Sequence, residues 1–255
     1  MSKWKTVRLG DVATLITKGT TPTTIGFEFE NTGVNFIKVE SITDTSVFVK
    51  EKFNHISYEC NEKMKRSMLC KNDILFSIAG ALGRTAIVNE SILPANINQA
   101  LALVRIPEVY VNYRYVELAL KSSIVYKQFQ KQKQGVAQLN LSLKNISDLQ
   151  IPLPPFDVQK HIADTLDKAQ KIIDGNKKQL EELDNLIKAI FYDMFGDPVA
   201  NEKGWEISQI KELARKIQYG TSKKATTDVQ EYPILRMNNI TYSGEWDFSD
   251  LKYIT

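Results

Sequence analysis

One stretch limits what this chain can fold into more than any other: residues 157–195. It opens just after a proline-rich break, Ile151-Pro152-Leu153-Pro154-Pro155-Phe156, and closes at Gly196-Asp197-Pro198. Apolar residues recur at alternating gaps of four and three: Ile162, Leu166, Ala169, Ile173, Leu180, Leu183, Ile187, Ile190 and Met194, with the polar Asn176 taking its place in the series. That is an a/d heptad repeat with one polar member. Asp157 is the expected N-cap, because a carboxylate there accepts a hydrogen bond from an unpaired amide of the first turn. Gly196 suits the left-handed position after the last turn, and Pro198 cannot continue the helix. At about 1.5 Å per residue the helix is roughly 55–60 Å long. Its flanks carry acid–lysine pairs four residues apart, Asp164/Lys168, Asp167/Lys171, Asp174/Lys178 and Asp184/Lys188. A rod with one apolar stripe and wet flanks needs a second helix against that stripe.

The remaining bounds are broad. The 255 residues suffice for one large or two modest domains, and 43% apolar with 25% charged residues describes a soluble globular chain. The net charge of +3 is too small to identify a partner, so local charge matters more. Two cysteines, Cys60 and Cys70, are too few for a disulfide framework, which favours a reducing, cytoplasmic setting. The first six residues, Met1-Ser2-Lys3-Trp4-Lys5-Thr6, lack the apolar core of a signal peptide. No run approaches the roughly 18–20 apolar residues that span a bilayer.

The chain also resembles itself. The segment 4–13, from Trp4 through Leu9, Asp11, Val12 and Ala13, aligns with 205–214, from Trp205 through Ile210, Glu212, Leu213 and Ala214. The register carries Ile16 onto Ile217, Gly19 onto Gly220 and Thr20 onto Thr221. After a small gap, Phe36-Ile37-Lys38-Val39 aligns with Ile234-Leu235-Arg236-Met237, and Ile42-Thr43 with Ile240-Thr241. A module therefore begins at the start of the chain and begins again near residue 200, with the heptad helix between. The first copy reads as mixed and mainly β. Strands are expected at 34–39, 73–78, 85–88 and 101–106, with shorter ones near 139–141 and 149–151. A helix is expected at about 111–132, capped by Asn112.

Three stretches are candidates for contact with nucleic acid. Residues 118–147 contain no acid, yet hold Lys121, Lys127, Lys131, Lys133 and Lys144 among Gln128, Gln130, Gln132, Gln134, Gln138, Asn140 and Asn145. Lysines attract phosphates without regard to sequence, and amides pair with base edges. Taken alone, the stretch also fits a solvated helix face that runs into a polar loop. The loop 18–24, Lys-Gly-Thr-Thr-Pro-Thr-Thr, offers Lys18, Thr20 and Thr21, and the turn at Gly80-Ala81-Leu82-Gly83-Arg84 offers a guanidinium. Gly80 and Gly83 do not make a phosphate-binding loop of the Walker type. The chain has no Cys/His cluster at metal-ligand spacing, no nucleophile elbow and no dinucleotide fingerprint.

In chain order these features look familiar. They are the Leu9-Gly10-Asp11-Val12 start, the Gly19-Thr20-Thr21-Pro22 loop, the run Asn72-Asp73-Ile74-Leu75-Phe76-Ser77-Ile78-Ala79-Gly80, and Asn96-Ile97-Asn98-Gln99-Ala100. Then come Gly135-Val136-Ala137-Gln138-Leu139-Asn140, the Pro152–Phe156 step into Gln159-x-x-Ile162-Ala163, and Met194-Phe195-Gly196-Asp197-Pro198 before the second tryptophan. The chain resembles the specificity subunit of type I restriction-modification systems along essentially its whole length. The resemblance implies an α+β chain: a mainly-β target-recognition domain with helices at 1–155, a long coiled-coil helix at 156–196, and the start of a second recognition domain at 197–255. It implies no catalytic activity and no cofactor in this subunit. The implied partners are double-stranded DNA, methyltransferase subunits that use S-adenosylmethionine, and restriction subunits that use ATP.

On this reading Lys18, Thr20, Thr21, Arg84, Lys131, Lys133, Gln134, Gln138, Asn140 and Lys144 face DNA. The seam Ile162, Leu166, Ile173, Asn176, Leu180, Leu183, Ile187 and Ile190 faces a second helix. The chain departs from the family pattern because it contains no second long helix, so the expected partner for the seam is a second copy, lying antiparallel. Two rival readings are a coiled-coil interaction protein without DNA readout and a fused methyltransferase. The second needs a cofactor-binding domain for which the chain has neither motif nor room.

Overall fold

The computed structural model describes residues 4–130 and 140–254. The chain divides into two compact units, Met1–Glu182 and Leu183–Thr255. In chain order the first unit contains β1 (Thr6–Arg8), α1 (Leu9–Val12), β2 (Leu15–Lys18), β3 (Val34–Ile37), β4 (Asn54–Ile56), α2 (Tyr58–Lys63), β5 (Ile74–Ser77) and β6 (Thr85–Ile87). It continues with β7 (Ala95–Ile97), β8 (Leu101–Arg105), α3 (Tyr113–Lys121), α4 (Ser123–Gln130), α5 (Leu143–Ser147) and β9 (Gln150–Pro152), and the long helix α6 (Phe156–Phe195) begins in it.

A four-stranded antiparallel sheet runs in the order β2-β8-β5-β6. A three-stranded sheet, β4-β3-β7, contains a parallel pair, β3 with β7. The pair β1–β9 closes the module antiparallel. Side chains alternate across a strand, so each strand of a sheet covered on both faces feeds two cores. Ala102 and Val104 of β8 join Phe76 of β5 in one core, with Leu9, Val116, Leu120 and Ile146 from the helices. Leu101 and Leu103 join Leu75 in the other, with Ile37, Ile42, Ala95 and Ile97. That double burial is why these strands read as nearly unbroken apolar runs. The strands expected at 34–39, 73–78, 85–88, 101–106 and 149–151 all form.

Three local expectations are corrected. The expected helix at 111–132 is two helices, α3 and α4, because Ser122 adopts an extended conformation between them; Asn112 does cap α3, accepting from the Tyr115 amide at 2.8 Å. Residues 140 and 141 are not a strand, although the Leu141 amide donates to the Ile78 carbonyl at 2.9 Å. Asp157 is not the cap of α6 but lies within its first turn, since the helix already includes Phe156. There the carboxylate still meets the positive end of the helix dipole.

The start of α6 belongs to the module. Gln159 is buried; its amide donates to the Pro154 carbonyl at 2.8 Å and accepts from the Asn112 amide at 2.9 Å. Ala163 is buried, and Ile162 packs against the module core. Arg114 on α3 then reaches Asp167 on α6 and, with Nη1, Oε2 of Glu117 at 2.6 Å. The Glu117 carboxylate is wholly buried and also accepts from Thr85 and from Ser46 (3.2 Å). Burial works against the Arg114 charge, but Asp167 and Glu117 outweigh it, and the Arg114 pKa is raised. Asp167 is thus claimed by Arg114, 53 residues away, and not by Lys171.

Beyond this anchor the seam is bare. Leu166, Ile173, Leu180, Leu183, Ile187 and Ile190 are all exposed, Leu180 by 63% and Leu183 by 55%, and Asn176 is exposed as well. Ile162, expected in the seam, is turned to its own module, so the free stripe starts at Leu166. The helix stops where the sequence places the stop. Gly196 takes φ +73° and its amide donates to the Tyr192 carbonyl at 2.8 Å, a conformation that favours glycine.

The second unit repeats the start of the first in its own geometry. Its helix α7 (Ile210–Leu213) matches α1, and β10 (Tyr232–Ile234) pairs antiparallel with β11 (Lys252–Ile254) as β3 pairs with β4. The register is the same: Tyr232 faces Ile254 as Val34 faces Ile56. The turn that follows is reproduced bond for bond. Thr241 N donates to Glu245 O at 2.9 Å as Thr43 N donates to Val47 O at 2.9 Å, and Ile240 bridges Trp246 as Ile42 bridges Phe48. Burial is not reproduced. Leu9 and Ile37 are fully buried, while their counterparts Ile210 and Leu235 are 78% and 52% exposed. In the first unit these positions are covered by side chains from β5, β7, β8 and the helices that follow. The second unit therefore has the local hydrogen bonds of a module without its apolar core.

Candidate nucleic-acid interface

The four-stranded sheet gathers several of the expected contact residues at one end. Lys18 pairs with Ala102, Ala102 with Phe76, and Phe76 with Thr85. Lys18 and the turn before Thr85 thus flank the same end on opposite edges. Three strand spacings separate them, about 14 Å. Between them the chain turns at 78–84. The Ile78 amide donates to Ala100 O at 2.9 Å, and the Leu141 amide donates to Ile78 O, which brings Asn140 beside this turn. Lys18 and Asn140 are exposed and Thr20 is half-buried.

Sheet geometry fixes the first loop. Gly19 passes so close to the end of β7 that an added Cβ would lie 1.8 Å from the Ile97 carbonyl oxygen and 2.3 Å from its carbon. Both are backbone atoms and cannot step aside. Thr21 donates to the Gln99 side chain, and Thr24 Oγ1 donates to the Thr21 carbonyl at 2.6 Å. Gly19→Ala is expected to cost about 1–3 kcal/mol by overpacking and to displace the 18–24 loop. Thermal denaturation and duplex binding measured on the same variant check both effects.

Arg84 is less free than the sequence suggests. Its Nε donates to Asp44 at 2.6 Å and its Nη1 to the Ile42 carbonyl at 3.1 Å. A guanidinium has five donors, so three remain for a ligand. Lys144 stands exposed on α5, which packs against β2 and α1. Lys131, Lys133, Gln134 and Gln138 lie outside the described residues.

The structure adds a neighbour that the sequence reading passed over. Thr20 and Ile25 share a cavity of about 280 Å³ with Lys63, Met64, Lys65, Arg66 and Ser67. A separate ion pair stiffens the sheet's opposite end: the half-buried Arg105 grips the buried Asp73 through two bonds of 2.7 Å, and that hydrogen-bonded partner raises the guanidinium pKa. Among the described residues no cluster of three or more His, Cys, Asp or Glu side chains is placed to hold a metal ion. No described helix is long and apolar enough to cross a membrane.

Residues 1–185 match the family model described as the type I restriction modification DNA specificity domain. The chain belongs to that family. Among relatives of this specificity domain, the EcoBI specificity subunit of Escherichia coli is 31% identical over 64% of this chain and 35% of its own length. The MjaVIII specificity subunit of Methanocaldococcus jannaschii is 24% identical over 94% of this chain and 53% of its own. The chain thus spans about half the length, or less, of these curated relatives. Two solved structures share the fold of the specificity domain. A chain from a study of assembly and conformational transition of the type I R-M system aligns with TM-score 0.55 at 21% identity, covering 74% of this chain and 44% of that one. The HsdS subunit from Thermoanaerobacter tengcongensis aligns with TM-score 0.52 at 14% identity, covering 80% and 51%.

Proposed function

We propose that this chain is a non-catalytic DNA sequence-recognition subunit of a cytoplasmic type I restriction-modification complex. The complete module, 1–155, reads one half-site. The observation that carries the reading is the gathering of Lys18, Thr20, Thr21, Arg84 and Asn140 at one end of the sheet in a domain of this family. Lysines there set position on phosphates, while hydroxyls, the Asn140 amide and the free donors of Arg84 discriminate base edges. Lys131, Lys133, Gln134 and Gln138, outside the described residues, and the exposed Lys144 contact the same duplex on this reading. Methyltransferase subunits dock along 156–196, restriction subunits join through them, and residues 197–255 are the start of a second recognition domain.

Two copies pair through antiparallel α6 helices. The spacing of the seam favours one register, centred on Lys178. It sets Leu166 against Ile190 of the other copy, Ala169 against Ile187, Ile173 against Leu183, and Asn176 against Leu180, an a-to-d layer at every step. The exposed Ile172 and Leu186, one step outside the seam, then lie near each other on the same flank. Selection of duplexes by the full chain from a random pool tests the reading. Recovery of a defined sequence is expected, and recovery of none contradicts it.

A further inference from the structure

The turn 63–67 bears three cations and no acid: Lys63 at the end of α2, then Lys65 and Arg66. All three are exposed. None joins an ion pair among the described residues, and neither does Lys18. Most exposed cations on a protein surface are mobile and solvated. This turn is different because it is held rigid from beneath. Met64, between the cations, is buried in a small core with Val34, Phe36, Ile56 and Cys60. Ser67 donates to Asn96 Oδ1 at 2.7 Å, and the Asn96 amide donates to Asn61 Oδ1 at 2.8 Å and to the Met64 carbonyl at 3.2 Å. All three polar residues are buried, so the network is satisfied internally and fixes the turn.

The same asparagine ties the turn to the reading loop. Asn96 lies in β7, and the next residue, Ile97, is the one against which Gly19 is pressed. Thr20 and the cationic turn face each other across the shared cavity. A backbone fixed in advance loses little freedom on binding an anion, and a row of cations carried on it beside base-reading hydroxyls suits an anionic backbone.

We propose that Lys63, Lys65 and Arg66 hold the phosphate backbone of double-stranded DNA next to the bases met by Thr20 and Thr21. This rests on the DNA-reading function proposed above. The turn supplies affinity and register but no sequence preference.

The test uses the full chain carrying Lys63→Gln, Lys65→Gln and Arg66→Gln, with duplex affinity measured across a salt series on several unrelated sequences. The variant is expected to lose affinity on every duplex alike, on the order of tenfold per contact at 0.1 M salt. The slope of log affinity against log salt should become shallower by roughly 0.9 per contact. Lys65→Arg keeps the charge and is expected to keep the slope, and thermal denaturation shows that each variant is folded. An unchanged affinity and slope overturns this inference and leaves the DNA-reading function standing. A changed sequence preference at constant slope also overturns it, because the residues would then be reading bases. Failure of the unsubstituted chain to bind any duplex overturns both.

Discussion

Arg114→Ala is expected to destabilise the first unit by roughly 3–5 kcal/mol, the cost of leaving a buried carboxylate without its partner. Glu117 is completely enclosed, and with Arg114 gone its nearest cation is Lys121 Nζ at 3.7 Å. That ammonium stands farther off than the lost guanidinium, and the hydroxyls of Thr85 and Ser46 do not neutralise a charge. The substitution also removes the bond from α3 to Asp167, which fastens α6 to the module. For a unit of this size the melting temperature is expected to fall by roughly 6–20 °C. Arg114→Lys should recover only part of the loss, because one ammonium cannot span two carboxylates as a guanidinium fork does. Replacing both Arg114 and Glu117 by Leu should cost less than Arg114→Ala alone, since no buried charge is then left unpaired. Thermal or denaturant unfolding of the three variants decides the matter. A double variant less stable than Arg114→Ala would contradict this account of the site.

The second large effect concerns assembly. Leu180→Asp with Leu183→Asp is expected to raise the dissociation constant of the paired chain by at least about ten-thousandfold. Four leucine side chains leave the seam per pair, each contributing about 1.5–3 kcal/mol when buried, and every 1.4 kcal/mol is about tenfold in affinity. The folding of the module should not change, because neither leucine touches a core cluster. Lys171→Ser, on the far side of the helix from the seam, should leave the assembly intact. Sedimentation of the full chain at micromolar concentration reads both results. A single-copy mass for the unsubstituted chain would contradict pairing through α6.

Local features of this fold were legible in the sequence, and features made by distant residues were not. The heptad spacing placed α6 almost to the residue, since helical period is a property of neighbours along the chain. Gly196 marked its end for the same reason. The Trp4 and Trp205 repeat pointed to two stretches of like local structure, and their hairpins do share a register. By contrast, Asp167 has a lysine four residues on but bonds to Arg114 on another helix. Arg84 looked like a free guanidinium beside a glycine turn, yet Asp44 and the Ile42 carbonyl take two of its donors. The cations at 63–67 went unnoticed because nothing in a linear reading sets them beside Thr20. The Asn61–Asn96–Ser67 network helps to do that, and it joins two segments distant in the chain, 61–67 and β7. The helix expected at 111–132 broke because Ser122 turned the chain, which apolar spacing alone does not signal.

The most direct test of the central claim is the sequence that the full chain enriches from a random pool of duplexes. Two copies joined by antiparallel helices, each with one complete reading module, should recover a bipartite site: two identical half-sites in inverted orientation, separated by a spacer of fixed length. Recovery of no sequence, or of one undivided asymmetric sequence, would contradict it.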